Sequence, residues 1–353
     1  MEQLVRECFR SGGYVFARRP EGAAGDHGIS RVARLASNEN PEPPSTAVIE
    51  SGSSALAKAN RYPDERVEVL VSALKQHYGD YAFVTGVGMD GVIETLIRTL
   101  VDPGEKVVIS TPTFSFYGLA AAAQGAMVVP VRRNADFSVD PQALLEAGSD
   151  AKVTVLCSPN NPTGNSTPVR VVEEILKGIR GVLFLDCAYV EFSDIDYLPL
   201  LKKYENLIIG RTFSKVYSLA GLRIGYGFVP AWLQPYYNRA GTPFTVNSVS
   251  AAAAATALRD PAHAERYIAQ VKRWRKRFAD DVKYPVMPSD ANFVLVDIAP
   301  RTGDSMVAAL AGKGVIVRSC KSFSGLGDHY IRVSIGEDWE NERFISAINS
   351  LLP

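Results

Sequence analysis

Four short stretches of the chain put polar groups and glycines where they could do chemistry. In TGVGMDG, residues 85–91, Gly86, Gly88 and Gly91 have the spacing G-x-G-x-x-G. Such glycines let a backbone approach a phosphate, and the helix that follows offers free N–H groups and the positive end of its dipole. A dinucleotide site also needs an acid at the end of the next strand, to hold a ribose hydroxyl. Here that strand, KVVIS, runs into Thr111-Pro112, so the spacing points to a phosphate and away from a dinucleotide. The other three stretches each follow an apolar run: PNNPTGN (159–165) after VTVLCS, CAYVEF after the Asp186 that closes VLFLD, and FSKVYSLAGLRIGY after NLIIGRT. An Asn-Pro turn, a strand-end acid or a Ser-Lys pair is commonplace alone. In this order, at the C-terminal edge of one sheet, they lie where open α/β folds bind ligands.

The elements that must position them read as follows. From Asp64 as N-cap, Val67, Leu70, Val71 and Leu74 follow helical spacing and stop at Gly79. A strand YAFVT, a flexible glycine loop and a helix starting near Asp90 with Ile93, Leu96, Ile97 and Leu100 come next. KVVIS, an Ala-rich helix from Phe114, MVVPV, KVTVLCS, VLFLD, NLIIGRT and RIGYGFV follow, most of the strands nearly continuous in apolar residues, as expected where helices cover both faces of a mostly parallel sheet. After TVNSVSAAAAATAL and a long charged helix around AERYIAQVKRWRKRFADD, strands NFVLVDI, VIVRS and YIRVSI predict a smaller α+β unit. The expected division is a large α/β domain over 40–245 and a small domain from 1–39 and 246–353.

Composition narrows the partners. The 353 residues hold 38 basic and 38 acidic side chains with no long run of either sign, which argues against a nucleic-acid or membrane-surface partner and for small molecules. Cys8, Cys157, Cys187 and Cys320 show no C-x-x-C spacing and suit a reducing cytoplasm. No apolar run approaches the roughly 20 residues of a membrane span, and four isolated histidines give no metal-ligand spacing.

Taken in order, the motifs resemble the fold-type-I aminotransferases that use pyridoxal 5′-phosphate, from about Leu35 to the last strand. The resemblance implies a large domain with a mostly parallel central sheet flanked by helices, plus a smaller α+β domain. It implies that Lys215 forms a Schiff base with the cofactor aldehyde and, once displaced, shuttles a proton, chemistry a lysine performs when burial and nearby cations lower its pKa. It implies that Asp186 keeps the ring nitrogen protonated, that Asn161 and Tyr189 hydrogen-bond the ring hydroxyl, with Tyr189 counted among the catalytic groups, and that Phe114 stacks on the ring. The phosphate then falls to the backbone of Gly88, Met89 and Asp90, with Thr212, Ser214 and Arg223.

Within that family LASNENP, NRYPD, CSPNNPTG, RTFSKVYSLAGLRIGY, PSDANFVLV and YIRVSIG are similar to the histidinol-phosphate group. That similarity implies transfer of an amino group between L-histidinol phosphate and 2-oxoglutarate, giving imidazole acetol phosphate and L-glutamate, in histidine biosynthesis. It also implies a homodimer in which Tyr62 reaches the neighbour's cofactor phosphate. Arg332 would bind the anionic end of the substrate beside Asn161, and Arg318 and Tyr14 would surround the phosphate ester; arginine suits both a phosphate and a carboxylate through its bidentate fork. Two positions depart from the pattern: Cys187 where a glutamate is usual, and Glu42 where an aromatic is. The alternatives are a threonine-phosphate decarboxylase or an aromatic amino-acid aminotransferase of the same fold. A non-catalytic ligand-binding module of a regulator is a further one, though no helix-turn-helix or basic patch accompanies it.

Overall fold

The computed structural model describes residues 2–10, 13–16, 29 and 31–352. A two-residue strand β1 (Ala33–Arg34) precedes the seven strands of the main sheet: β2 (Ala82–Val87), β3 (Lys106–Thr111), β4 (Met127–Arg132), β5 (Val153–Cys157), β6 (Val182–Asp186), β7 (Leu207–Thr212) and β8 (Ile224–Val229). Their order is β2-β8-β7-β6-β5-β3-β4. Every neighbour pair is parallel except those that β8 makes with β2 and β7. The all-apolar stretches explain the interior: every residue of β5 to β8 is buried, whereas β4, which carries Pro130, is half exposed at the edge, where a missing N–H costs no ladder bond.

The reversal of β8 decides what lies at the functional edge. The C-terminal ends of β2, β5, β6 and β7 meet the first residues of β8 there, with Val87 opposite Ile224 and Thr212 opposite Gly225. The C-terminal part forms a second, antiparallel sheet, β11 (Arg318–Ser319), β12 (Tyr330–Ser334) and β9 (Phe293–Asp297), while β1 pairs in parallel with β10 (Val315–Ile316). Arg318 and Arg332 are therefore direct cross-strand neighbours. One apolar cluster runs from Val48 and Leu70 through Leu183 and Ile209 to Phe293, Val333 and Phe344, tying the main sheet to the C-terminal elements.

Three local expectations change. The helix expected from Asp64 spans Glu68–Tyr78, because Val67 takes a left-handed conformation (φ 52°). Asp64 still caps it from outside, its carboxylate accepting from the Glu68 N–H at 2.7 Å. There is no flexible loop in TGVGMDG: β2 stays paired with β8 through Val87 and the helix starts at Gly88. The expected strand VIVRS divides at Val317, its halves joining different sheets. Among the described residues no helix is long and apolar enough to cross a membrane, and no group of three or more His, Cys, Asp or Glu could hold a metal ion.

Candidate active site

At the floor of a cavity of about 370 Å³ lies Asp186, the last residue of β6 and 3% exposed. Its Oδ2 accepts a hydrogen bond from the Tyr117 hydroxyl at 2.6 Å and its Oδ1 from the Ala188 N–H at 2.9 Å. Burial pushes this carboxyl up to about 6, opposed by those two donors; the Asp90 charge pushes the same way as burial and Lys215 against it. Tyr117 is itself fully buried, and burial together with the Asp186 charge holds its phenol well above its usual range, so it stays a neutral donor.

Lys215 follows β7, half-buried, with Nζ donating to the Ser37 carbonyl at 3.3 Å and standing 5.6 Å from the centre of the Tyr189 ring. Desolvation, then the charges of Arg332 and Arg223, lower its pKa to about 8 against the opposing pull of Glu39 and Asp90. At pH 7 about a tenth of such amines are neutral, compared with roughly one in 2,500 for an ordinary lysine. The Tyr189 hydroxyl accepts from Asn38 Nδ2 at 3.2 Å and its ring meets Phe293 edge-on.

Both ends of the cavity are prepared for anions. At one end the helix Gly88–Leu100 presents its first turn: the Gly88 N–H is already donated to the Arg223 carbonyl at 2.9 Å, and the N–H groups that follow it have no intrahelical partner. Gly88 has φ 67°, and a Cβ there would sit 2.5 Å from the Arg223 guanidinium; at Gly225 a Cβ would lie 2.7 Å from the Met89 nitrogen. The absence of both side chains keeps that helix terminus bare and brings β8 against it. Arg223 donates to Asp90 Oδ2 at 2.8 Å, and the Thr212 and Ser214 hydroxyls are bonded at 3.0 Å beside it. Burial raises the Asp90 pKa against the opposing effect of Arg223 and Lys215.

At the other end, Arg332 donates to Asn161 Oδ1 at 2.5 Å and to the Ala36 carbonyl at 2.7 Å, while its buried Nε meets no partner among the described residues. Arg318 donates to the Val15 carbonyl and to Ser322 Oγ; burial and the Arg332 charge lower its pKa. Neither guanidinium pairs with a carboxylate among the described residues, which leaves two adjacent buried cations able to take an anionic ligand. Tyr14, edge-on to Phe114 at 5.8 Å and to Phe16 at 5.0 Å, closes the aromatic side.

Of the residues singled out from sequence, Tyr14, Met89, Asp90, Phe114, Asn161, Asp186, Tyr189, Thr212, Ser214, Lys215, Arg223, Arg318 and Arg332 line this one cavity, and Gly88 borders it beneath Arg223. Tyr62 does not: its side chain is 83% exposed and stacks on Phe244 at 4.8 Å, away from the cavity of its own chain. Sequence reasoning missed Tyr117, whose helix reads as Ala-rich packing, and Asn38, a buried residue at φ 55° bound to Tyr189 and Ser334. The signal for Asn38 was its type, since Asn tolerates the left-handed region. Ser37, Glu39 and Cys157 also line the cavity.

A family model for aminotransferase class I and II matches residues 30–348. A histidinol-phosphate aminotransferase of Methanoculleus marisnigri is 61% identical over 99% of this chain and 100% of its own length. That of Methanocorpusculum labreanum is 57% identical over the same shares. Among solved structures, the histidinol-phosphate aminotransferase from Sinorhizobium meliloti in complex with pyridoxal-5′-phosphate superposes with a TM-score of 0.87 at 28% identity, covering 99% of this chain and 98% of that one.

Proposed function

The chain belongs to the aminotransferase class I and II family, in its histidinol-phosphate branch, and on that premise we propose that it moves an amino group between L-histidinol phosphate and 2-oxoglutarate, giving imidazole acetol phosphate and L-glutamate, with pyridoxal 5′-phosphate as cofactor. The observation that carries the reading is one cavity holding a lysine of lowered pKa, a buried carboxylate and two separate cationic ends.

The residues fit the cofactor. A helix terminus kept bare by Gly88 and Gly225, with Arg223, Thr212 and Ser214, suits its phosphate. Phe114 offers a stacking face, Asn161 and Tyr189 polar atoms for its hydroxyl, and Asp186 a carboxylate for its ring nitrogen. When bound, this group supplies an aldehyde that takes up the substrate amine and a ring that draws electrons from the neighbouring C–H bond. Asp186, unable to share its charge with water, stabilises a proton placed against it. The Lys215 amine would take the proton from the substrate carbon that bears the amine and return it to the cofactor's aldehyde carbon, on the other side of that nitrogen. Arg332 and Arg318 orient the phosphate of one substrate and a carboxylate of the other, and Tyr14 and Phe16 shield the cavity.

In this reading residues 40–245 hold the cofactor, and the small unit, 1–39 with 246–353, brings Arg332 and Arg318 over it. Two copies pair so that Tyr62 reaches the neighbour's phosphate cup, consistent with the exposure of Tyr62 and Phe244. Four free cysteines, three of them buried, suit a cytoplasmic enzyme of histidine biosynthesis. The test is to supply histidinol phosphate with 2-oxoglutarate and follow glutamate. Its formation supports the assignment; carbon dioxide released from threonine phosphate, without glutamate, overturns it.

A further inference from the structure

Immediately after Lys215 the chain makes a tight turn, Ser218 N–H bonding back to the Lys215 carbonyl at a long 3.4 Å. Ser218 stands at φ 60°, a left-handed conformation that is strained for a non-glycine residue and persists only where its surroundings impose it. What imposes it here comes from far along the chain. His263, buried near the start of the helix Pro261–Asp281, sets its Nε2 2.9 Å from Ser218 Oγ. The Nδ1 of the same ring has Arg266 at 3.3 Å and Glu42 at 3.9 Å. A second tie lies two residues earlier, where Asn40 Nδ2 donates to the Val216 carbonyl at 3.1 Å.

Serine, histidine and glutamate in this order have the residue types of a nucleophile triad, but the hydrogens run the wrong way. A guanidinium has only donors, so the neutral ring accepts from Arg266 at Nδ1 and must carry its proton on Nε2, where it donates to Ser218. The contact anchors the Ser218 hydroxyl to the ring.

We infer that His263 is a positioning residue for Lys215, holding through Ser218 the strained turn that fixes where the lysine amine stands. The inference rests on the proposed role of Lys215. It ascribes no contact with substrate to His263.

The test compares holoenzymes of wild type, His263→Leu, His263→Gln and Ser218→Ala, after borohydride reduction has located the pyridoxyl label in the wild type. A misplaced amine should lower kcat about tenfold, with KM for both substrates within about twofold, and shift the pH at which the lysine-linked absorbance titrates. Gln, whose amide N–H replaces Nε2–H, should restore both kcat and the titration; Ser218→Ala, which removes only the acceptor, should reproduce the loss even if the Leu variant folds poorly. In the cofactor-free chain, Ser218→Gly relieves the left-handed conformation, so His263→Leu should shift the unfolding midpoint less in that background than in wild type. Wild-type kcat and titration in both His263→Leu and Ser218→Ala, failure of Gln to rescue, or additive shifts in the cycle would each overturn the inference alone. A label absent from Lys215 would overturn the functional reading and the inference with it.

Discussion

Replacing Asp186 by asparagine should stabilise the cofactor-free protein at neutral pH while removing its activity. Burial raises the Asp186 pKa from 3.8 to about 6. About two pKa units at about 1.4 kcal/mol each give ~3 kcal/mol of preference for the protonated form in the folded chain. A raised folded pKa favours the fold fully below about pH 4 and loses that contribution as pH rises through about 6. Above that, the fold carries an ionised, desolvated carboxylate that the unfolded chain leaves in water. Asparagine does not titrate, and it keeps the local bonds: its carbonyl accepts from Ala188 N–H, and its amide can donate to Tyr117, whose hydroxyl turns from donor to acceptor. Urea unfolding of the cofactor-stripped proteins from about pH 4.5 to about 8 should therefore show two curves that diverge with pH, the Asp186→Asn variant being the more stable by up to ~3 kcal/mol at the alkaline end. With cofactor bound the advantage should shrink or reverse, and kcat should fall by on the order of a hundredfold or more. Parallel curves would refute the reasoning, because they would mean that the carboxylate is not held in a desolvated state for the ring nitrogen.

Arg332→Ala should raise KM for both the phosphate-bearing amine and the dicarboxylate by on the order of thirtyfold, as expected for a lost charge-assisted contact; steady-state kinetics showing a loss confined to one substrate would mean that the two anions do not share this end. Gly225→Ala should weaken cofactor binding about tenfold or more and also lower stability, because the new methyl would meet the backbone of Gly88 and the Met89 nitrogen at the helix terminus that cups the phosphate. Fluorescence titration with cofactor measures this, and an unchanged affinity would remove the helix terminus from the phosphate site.

The legible part of this molecule lay where one side chain or one run decides the outcome. The apolar continuity of β5 to β7 placed Asn161, Asp186 and Lys215 at the ends of covered strands, and their order carried the family resemblance. What escaped depends on contacts between distant segments. Nothing in RIGYGFV says that β8 runs against its neighbours, because a strand buried on both faces has the same composition in either direction. Tyr117 becomes a donor to Asp186 only once its helix is laid on the sheet. Arg318 and Arg332 become neighbours only through the register of β11 with β12. The glycine spacing in TGVGMDG suggested a loop, whereas pairing with β8 carries β2 to Val87 and leaves Gly88 to turn directly into the helix.

The most direct test of the account is to reduce the pyridoxal-phosphate-loaded enzyme with borohydride and map the labelled peptide. The pyridoxyl group should be found on Lys215, in the peptide containing TFSKVYS, and the Lys215→Ala enzyme should take no label there and form no glutamate. A label on any other lysine, or full activity without Lys215, would contradict it.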